Sequence, residues 1–376
     1  MLLLSGPNIS GNEWKYIKDC LDTGWVSSVG AYVEQFEKMT AAFAGVKYAV
    51  ATSSGTTALH TCLILNGISK DDYVIAPNIT FVASINSIKY TNADPILIDV
   101  DAETWQMDLA LLENFLSKET EIKNGDSIYK KNGRKIKAIM PVHVLGNMCD
   151  MDRLLEISKK YNLVVIEDAT EALGSYYKNK HAGSFGLMGT FSYNGNKIIT
   201  TGGGGMIITD DEALAKKAKH LTTQAKSDAF EYVHDEIGYN YRLVNTAAAM
   251  GVGQMELLLQ FLKRKKEIIA FYKKELGNVG DITFQKVSDD VKPNWWLPTI
   301  MTEKQKQVLK ILNDNKMQSR PFWVPMNQLR MFKDDIYYTK DDVSNYIYSK
   351  CLSIPCSTNI TDDDLMSVVL KIKEVF

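Results

Sequence analysis

Lys197 lies in the most unusual segment of the chain, between a strand-like run and four consecutive glycines. From Thr190 to Gly205 the segment reads TFSYNGNKIITTGGGG. A lysine with a lowered pKa can form a Schiff base with a carbonyl compound. Ile198 and Ile199 indicate burial, and glycine allows close approaches that other residues forbid. The segment therefore predicts covalent carbonyl chemistry at Lys197, although a lysine considered by itself is most often a solvated surface group.

A second segment, from Thr52 to Leu59, predicts a phosphate cradle. It reads TSSGTTAL and lies between a strand-like run and a helical pattern. Small hydroxyl residues and glycine at a helix start leave backbone N–H groups free, and the helix dipole favours an anion there. Ordinary N-capping by serine or threonine is the alternative interpretation. Ser192 offers a further hydroxyl donor for the same phosphate.

The third candidate is Asp168, which follows the buried run from Val164 to Glu167. A carboxylate at the carboxyl end of a parallel strand lies at the ligand-binding edge of an α/β sheet. Capping of the next helix is an equally good explanation of Asp168 alone. Together, however, a phosphate cradle, a strand-end aspartate and a lysine are the three groups that pyridoxal phosphate requires for its phosphate, its ring nitrogen and its aldehyde.

The elements that must position these residues alternate between short apolar runs and helical patterns. We predict helices near 55–65, 80–89 and 151–161, and strands at 48–51, 73–76, 95–100, 138–142 and 163–167. Continuous Val/Ile runs are typical of strands covered on both faces. The alternation predicts an α/β protein with a mainly parallel, helix-covered sheet.

The pattern changes after about residue 245. A long helix is predicted from Thr246 to Leu276, and an amphipathic helix from Asp362 to Phe376. We therefore expect a large domain over 1–245, with an N-terminal arm, and over 246–376 a linking helix and a small α+β domain. The polar segment from Lys118 to Lys137 is expected to be a solvated excursion.

Composition excludes several classes of protein. The 376 residues are 45% hydrophobic and 23% charged, with a formal charge of −2, so no basic excess predicts nucleic-acid binding. The five cysteines suit buried thiols better than a disulfide framework, and no spacing predicts a metal site. Neither a signal peptide nor a membrane span is predicted. We therefore expect a cytoplasmic protein.

Five ordered motifs resemble the fold-type I pyridoxal-phosphate sugar aminotransferases of the DegT/DnrJ/EryC/StrS type. The resemblance covers nearly the whole chain and implies a three-layer fold with a mainly parallel seven-stranded sheet and a smaller C-terminal α+β domain. The matching segments are SSGTTAL at 53–59, PNITFVAS at 77–84, EDATEALG at 167–174, FSYNGNK with TTG at 191–202, and GYNYR at 238–242.

The resemblance also implies roles for individual residues. Lys197 matches the lysine that bonds to the cofactor aldehyde and shuttles the proton. Asp168 matches the partner of the ring nitrogen. Phe81 falls where an aromatic ring stacks on the cofactor, and Thr170 falls on the opposite face. Glu171 falls near the cofactor hydroxyl, where relatives carry glutamine or histidine, so its contact there stays open.

Four further positions are implied to contact the cofactor phosphate. Gly55, Thr56 and Ser192 match phosphate donors, and Asn240 matches a residue that reaches the phosphate of the neighbouring subunit. The resemblance therefore implies a homodimer.

Several residues keep two interpretations. Gly204 stands where many relatives have glutamate. His143 either lines the site or is structural, and Arg320 either meets a diphosphate or makes a surface ion pair. The aromatic residues Trp295-Trp296 and Pro321-Phe322-Trp323 either stack on a substrate or form the core of the small domain.

The function implied is amino transfer, with L-glutamate as the expected donor, to C4 of a nucleotide-linked 4-keto-6-deoxy sugar. The segments 7–14 and 23–28 resemble the subgroup that serves legionaminic acid and bacillosamine-type sugars, which predicts a UDP-linked N-acetylhexosamine. Two alternatives are a pyridoxal-phosphate sugar dehydratase, which carries histidine in place of Lys197, and a non-catalytic cofactor-binding regulator. A nicotinamide oxidoreductase is disfavoured because no G-x-G-x-x-G follows the first strand.

Overall fold

The computed structural model describes residues 1–228 and 230–376. Its α-helices are α1 Glu13–Thr23, α2 Ala31–Ala44, α3 Gly55–Leu65, α4 Val82–Tyr90, α5 Leu109–Glu119, α6 Met151–Lys160, α7 Glu212–Thr222, α8 Asn245–Leu276, α9 Gln305–Asp314, α10 Val343–Lys350 and α11 Asp362–Lys373. Single turns of 3₁₀-helix cover Val144–Gly146 and Met326–Gln328.

The strands are shorter than the helices. They are β1 Tyr48–Thr52, β2 Tyr73–Pro77, β3 Asp94–Ile98, β4 Thr120–Lys123, β5 Asp126–Tyr129, β6 Lys135–Ile139, β7 Val164–Asp168, β8 Tyr176–Tyr177, β9 Lys180–His181, β10 Met188–Ser192, β11 Gly205–Thr209, β12 Lys226–Asp228, β13 Val233–His234, β14 Thr283–Phe284, β15 Val291–Lys292, β16 Thr299–Met301, β17 Arg320–Pro321, β18 Ile336–Tyr338 and β19 Cys351–Ser353.

The main sheet has the strand order β1-β11-β10-β7-β6-β2-β3-β18. Neighbours from β10 to β18 pair in parallel, and β11 is antiparallel to both β1 and β10. The predicted mainly parallel sheet is therefore confirmed. The seven strands from β1 to β3 in this order match the number that the resemblance implied, and β18 and the hairpin β4–β5 extend the sheet to ten strands.

Burial explains why the strand sequences are continuously apolar. Every residue of β2 and β11 is buried, and β7 is buried from Val165 onwards. Helices cover both faces of the sheet at these strands, so their residues do not alternate between core and water. Because β7 and β10 are parallel neighbours, Asp168 and Ser192 lie at the same edge of the sheet.

The polar segment from Lys118 to Lys137 was expected to be a solvated excursion, and most of its residues are exposed, but it also extends the main sheet. It forms the hairpin β4–β5, which pairs with β6 at the sheet. Ser127 and Tyr129 are buried, and the ring of Tyr129 stacks on Phe115 at 6.0 Å. The lysines stay outside while alternate residues point inward, a period-2 pattern that the high polar content concealed.

Residues after 245 form a second sheet, of strand order β14-β16-β19-β17, beside the long helix α8. They also contribute β18 to the main sheet and β15 to a small sheet with β8 and β9. The division into domains at residue 245 stays a prediction. All five cysteines are free and buried, as expected. No helix within 1–228 or 230–376 is both long and apolar enough to cross a membrane.

Candidate active site

A cavity of about 340 Å³ lies where β7 and β10 end and α3 begins. Eight of the nine residues predicted to act on the cofactor line it. They are Gly55, Thr56, Phe81, Asp168, Thr170, Glu171, Ser192 and Lys197. The fold therefore brings together residues from four segments that are far apart in the chain.

Asn240 is the ninth predicted residue and does not line this cavity. Its backbone forms a bridge with Thr223, and its side chain is exposed and accepts a hydrogen bond from Arg242 Nε at 3.1 Å. This position is compatible with the implied contact to a neighbouring subunit, which stays a prediction.

The carboxylate of Asp168 is 2% exposed and each of its oxygens accepts hydrogen bonds. Ser84 Oγ donates to Oδ2 at 2.6 Å, and Ser84 Oγ is itself 2.7 Å from Thr80 Oγ1. Thr170 donates to Oδ1 through its hydroxyl at 2.7 Å and its backbone N–H at 3.1 Å. These three donors fix the orientation of the Asp168 carboxylate.

The start of α3 combines capping with free donors, so capping is confirmed and the phosphate cradle stays a prediction. Ser54 Oγ accepts from Thr57 N at 3.1 Å, while Thr57 Oγ1 accepts from Ser54 N, which forms a capping box. Helix geometry leaves the N–H groups of Gly55 and Thr56 without intrahelical partners. These two groups can therefore receive an anion.

Two glycines allow the backbone to close around this helix start. A Cβ on Gly55 would lie 3.0 Å from Ser192 Cβ and from Thr170 Cγ2. A Cβ on Gly205 would lie 2.3 Å from the backbone oxygen of Ser54. Side chains at these positions would displace the chain that forms the cradle.

Lys197 and Glu171 face the cavity in an environment that favours their neutral forms. Burial lowers the pKa of Lys197, and the negative charges of Glu171 and Asp168 oppose this effect. Burial raises the pKa of Glu171, which is 4% exposed, and the positive charge of Lys197 opposes that effect. Glu171 Oε2 accepts a hydrogen bond from Leu145 N at 2.8 Å. Burial therefore makes the neutral amine of Lys197 easier to form than the neutral amine of a surface lysine.

Phe81 precedes α4 and is 52% exposed although it lines the cavity. A large aromatic ring left uncovered beside a cavity offers a face for a flat ligand. Isolated from its motif, Phe81 would have been assigned to the core, and the structure places it outside.

Some aromatic residues of the C-terminal segments line the cavity, and others do not. Trp296, Phe322 and Trp323 line the cavity, and the rings of Trp296 and Trp323 stack at 6.3 Å. Trp295 points elsewhere, with Lys273 Nζ 4.5 Å from its ring centroid. Arg320 also lines the cavity and is exposed, so its guanidinium is available to a ligand.

Three further positions are decided by the structure. His143 does not line the cavity: it is buried, with Nε2 2.8 Å from Glu167 Oε2, so the structural interpretation holds. Gly204 lines the cavity, and a Cβ there would lie 2.4 Å from Thr201 Oγ1, so a larger residue requires Thr201 to move. Ser84 was missed by the sequence reasoning, because a serine inside a helical pattern gives no signal.

The donor set fits pyridoxal phosphate. The unpaired N–H groups at the start of α3 suit a phosphate. The buried, hydrogen-bonded carboxyl group of Asp168 suits the ring nitrogen. The amine of Lys197 suits an aldehyde. The close approach of the chain at Gly55 and Gly205, which a Cβ would disturb, holds the backbone of this helix start in place.

Comparisons with known proteins agree with this arrangement. Residues 7–373 match the model described as "DegT/DnrJ/EryC1/StrS aminotransferase family". A GDP-perosamine synthase from Escherichia coli O157:H7 is 38% identical, over 98% of this chain and 97% of its own. The putative pyridoxal phosphate-dependent aminotransferase EpsN from Bacillus subtilis is 35% identical, over 100% and 96%. The structure of Helicobacter pylori PseC, an aminotransferase involved in the biosynthesis of pseudoaminic acid, has a TM-score of 0.88 at 25% identity and covers 100% of both chains.

Proposed function

The chain belongs to the DegT/DnrJ/EryC1/StrS aminotransferase family of pyridoxal-phosphate-dependent enzymes, and on this premise we propose that it moves an amino group from L-glutamate to C4 of a nucleotide-linked 4-keto-6-deoxy sugar. The product serves a bacterial surface polysaccharide. The observation that carries the proposal is the single cavity shared by Lys197, Asp168 and the start of α3. The named relatives support the sugar as the acceptor.

Residues that line the cavity would hold the cofactor. Gly55 and Thr56 offer backbone N–H groups to its phosphate, and Ser192 lines the same part of the cavity. Asp168 would be the partner of the ring nitrogen, and the exposed ring of Phe81 would offer a face to the cofactor ring. When bound, pyridoxal phosphate supplies the electron sink that lets an amino group pass between two carbonyl compounds.

Lys197 holds and moves the proton. Burial lowers the pKa of Lys197, which favours the neutral Nζ, the form that can accept a proton. The carboxylates of Glu171 and Asp168 then favour the charged amine that results. The same amine returns the proton to the substrate carbon in the reverse half of the cycle.

The acceptor is bound by the aromatic side of the cavity. Phe322 and Trp323 offer flat apolar faces to a sugar ring, and Arg320 offers an exposed guanidinium to a diphosphate. Binding of the distant nucleotide brings the ketone to near-attack distance from the amine. A free keto-sugar is therefore expected to react far more slowly than its nucleotide-linked form.

Two nucleotides are candidates. Relatives named GDP-perosamine synthase are 38% and 37% identical over almost the whole chain, which favours a GDP-linked sugar. The segments 7–14 and 23–28 favour the UDP-linked N-acetylhexosamine predicted from the sequence. Both candidates share the 4-keto-6-deoxy acceptor, so the proposed reaction is the same.

The active unit is proposed to be an isologous homodimer. Asn240 lies outside the cavity of its own chain, on an exposed segment that also carries Ile237 at 86% exposure. Trp14 and Trp25 are likewise 76% and 57% exposed. The cytoplasmic location stays a prediction from the sequence.

The test is amination by the purified protein of GDP- and UDP-linked 4-keto-6-deoxy sugars, each with L-glutamate as donor. We expect an amino sugar from one nucleotide series and a cofactor absorbance band that borohydride removes. The Lys197→Ala variant serves as the control without proton transfer. An enzyme that aminates only unactivated ketones or α-keto acids contradicts the proposal, and a protein that binds the cofactor without any turnover supports the regulator instead.

A further inference from the structure

Trp296 is the cavity residue that lies against Lys197. The Nζ atom of Lys197 is 3.8 Å from the centroid of the Trp296 ring, within the range of a strong cation–π contact. Trp296 is only 3% exposed, although it lines the cavity. Its ring therefore presents one face to the reacting amine and almost none to water.

Both the side chain and the backbone of Trp296 are anchored by contacts with other residues. Its Nε1–H donates to the backbone oxygen of Asn196 at 2.7 Å, next to Lys197 in the chain. Its backbone N–H donates to Asn294 Oδ1 at 2.9 Å. Lys265 Nζ, buried in α8, donates to its carbonyl oxygen at 2.9 Å. Trp323 stacks near it with an interplanar angle of 20°.

Such extensive anchoring exceeds what a packing residue needs. Asn294 Nδ2 in turn donates to the carbonyl oxygens of Glu171 and Leu173, at 2.8 and 2.9 Å. The tryptophan is thus tied to the turn that carries Glu171 and to the loop that carries Lys197. Because Trp296 is tied to both of these segments, the distance between its ring and Lys197 Nζ is set by the fold.

We propose that Trp296 is a positioning residue for Lys197: when the lysine is protonated and not bonded to the cofactor, its ammonium group rests on the indole face. An ammonium is attracted to the electron-rich face of indole, whereas a neutral amine is not. The ring thus favours the charged amine and holds it at the wall of the cavity. This inference rests on the proposed function only for the importance of Lys197.

The two roles that a buried tryptophan can have predict opposite results. If Trp296 attracts the ammonium, its removal makes the charged amine less stable, and the pKa of Lys197 falls. If Trp296 only packs the wall, its removal admits water, desolvation of the amine weakens, and the pKa of Lys197 rises. The direction of the change therefore separates the two roles.

The experiment measures how the acetylation rate of Lys197 depends on pH, by mass spectrometry after trace labelling of the full-length protein freed of cofactor. Only the neutral amine reacts, so the midpoint of the profile gives the pKa of Lys197, and exposed lysines in the same sample are the reference. For Trp296→Leu we expect the midpoint to fall by about half to one pH unit, which makes labelling at neutral pH about three- to tenfold faster.

The controls keep the result interpretable. Trp296→Phe keeps an aromatic face and should lower the midpoint less than Trp296→Leu. Trp295→Leu removes the neighbouring indole, which lies against Lys273 and does not line the cavity, and should leave the midpoint unchanged. If the leucine variant does not fold, fluorinated tryptophan incorporated into the unmutated chain weakens the ring face at constant shape and should lower the midpoint.

A midpoint that stays constant or rises in Trp296→Leu, or that is insensitive to fluorination, overturns the proposal. Neither a sugar nor a donor is used, so this failure is distinct from a failure of the proposed function. With cofactor restored, Trp296→Leu should lower kcat for the glutamate half-reaction more than it raises KM, because the lysine and not the substrate site is disturbed.

Discussion

Replacement of Asp168 by asparagine should separate the structural from the electronic task of this residue. Asparagine can keep the hydrogen bonds that orient the side chain at position 168. Its oxygen can replace Oδ1 and accept both hydrogen bonds from Thr170. Its amide can then face Ser84, whose hydroxyl becomes the acceptor and donates instead to Thr80 Oγ1, 2.7 Å away. We therefore expect Asp168→Asn to fold and to retain the cofactor.

The substitution removes the negative charge that the Asp168 carboxylate offers to the ring nitrogen of the cofactor. An adjacent opposite charge raises the pKa of a cationic group by about 1–3 units, and asparagine removes that effect from the ring nitrogen. At neutral pH the fraction of protonated cofactor should therefore fall about ten- to thousandfold. The rate of the glutamate half-reaction should fall by the same factor, because only the protonated ring is an efficient electron sink.

The assay follows the cofactor absorbance after rapid mixing with glutamate, with circular dichroism and cofactor content as checks of the fold. Ser84→Ala is the matched control, since it keeps the carboxylate and removes one of its donors. Loss of that charge-assisted hydrogen bond should cost about 1.5–3 kcal/mol of stability and less than about tenfold in rate. The reasoning is refuted if Asp168→Asn retains its cofactor and reacts within about threefold of the unmodified enzyme.

The remaining predictions concern the other parts of the site. Lys197→Ala should abolish transamination with an unchanged circular dichroism spectrum, and normal turnover would refute its assignment. Mixing of Lys197→Ala chains with Asn240→Ala chains should restore activity through one intact site per heterodimer, and a fully active monomer by light scattering would contradict this. Gly205→Ala should weaken cofactor binding measured by equilibrium dialysis, because its methyl group would lie 2.3 Å from a backbone oxygen of the cradle, whereas Gly203→Ala, with nothing within 4 Å, should not. Lys265→Met should lower the free energy of unfolding in urea by at least about 2 kcal/mol, because two buried carbonyl oxygens lose their donor, and an unchanged midpoint would disprove this.

Local sequence determined much of the cofactor site. The hydroxyl-rich start of α3, the strand that ends at Asp168 and the glycine run after Lys197 are each read from a few adjacent residues. Their chemistry depends on local backbone geometry, a helix start or a strand end, which short segments specify. For this reason the motifs predicted both the residues and the sheet edge where they meet.

Some local sequence patterns did not predict the strands whose formation depends on contacts between distant segments. The lysines between 118 and 137 indicated solvent, yet β4 and β5 pair at the sheet because alternate residues face the core. Ile336–Tyr338 joins the main sheet beside β3, although it follows the long helix by about sixty residues. Strand partners so far apart in sequence leave no signal in either segment.

The wall that faces Lys197 was determined only by the tertiary structure. The sequence showed a pair of tryptophans but could not tell which one meets the site, and the fold turns Trp296 to Lys197 and Trp295 to Lys273. The choice depends on anchors from distant segments, above all Lys265 in α8 and Asn196 before Lys197. Adjacent residues in an irregular segment point in directions set by such long-range contacts, and these exist only when the whole chain is folded.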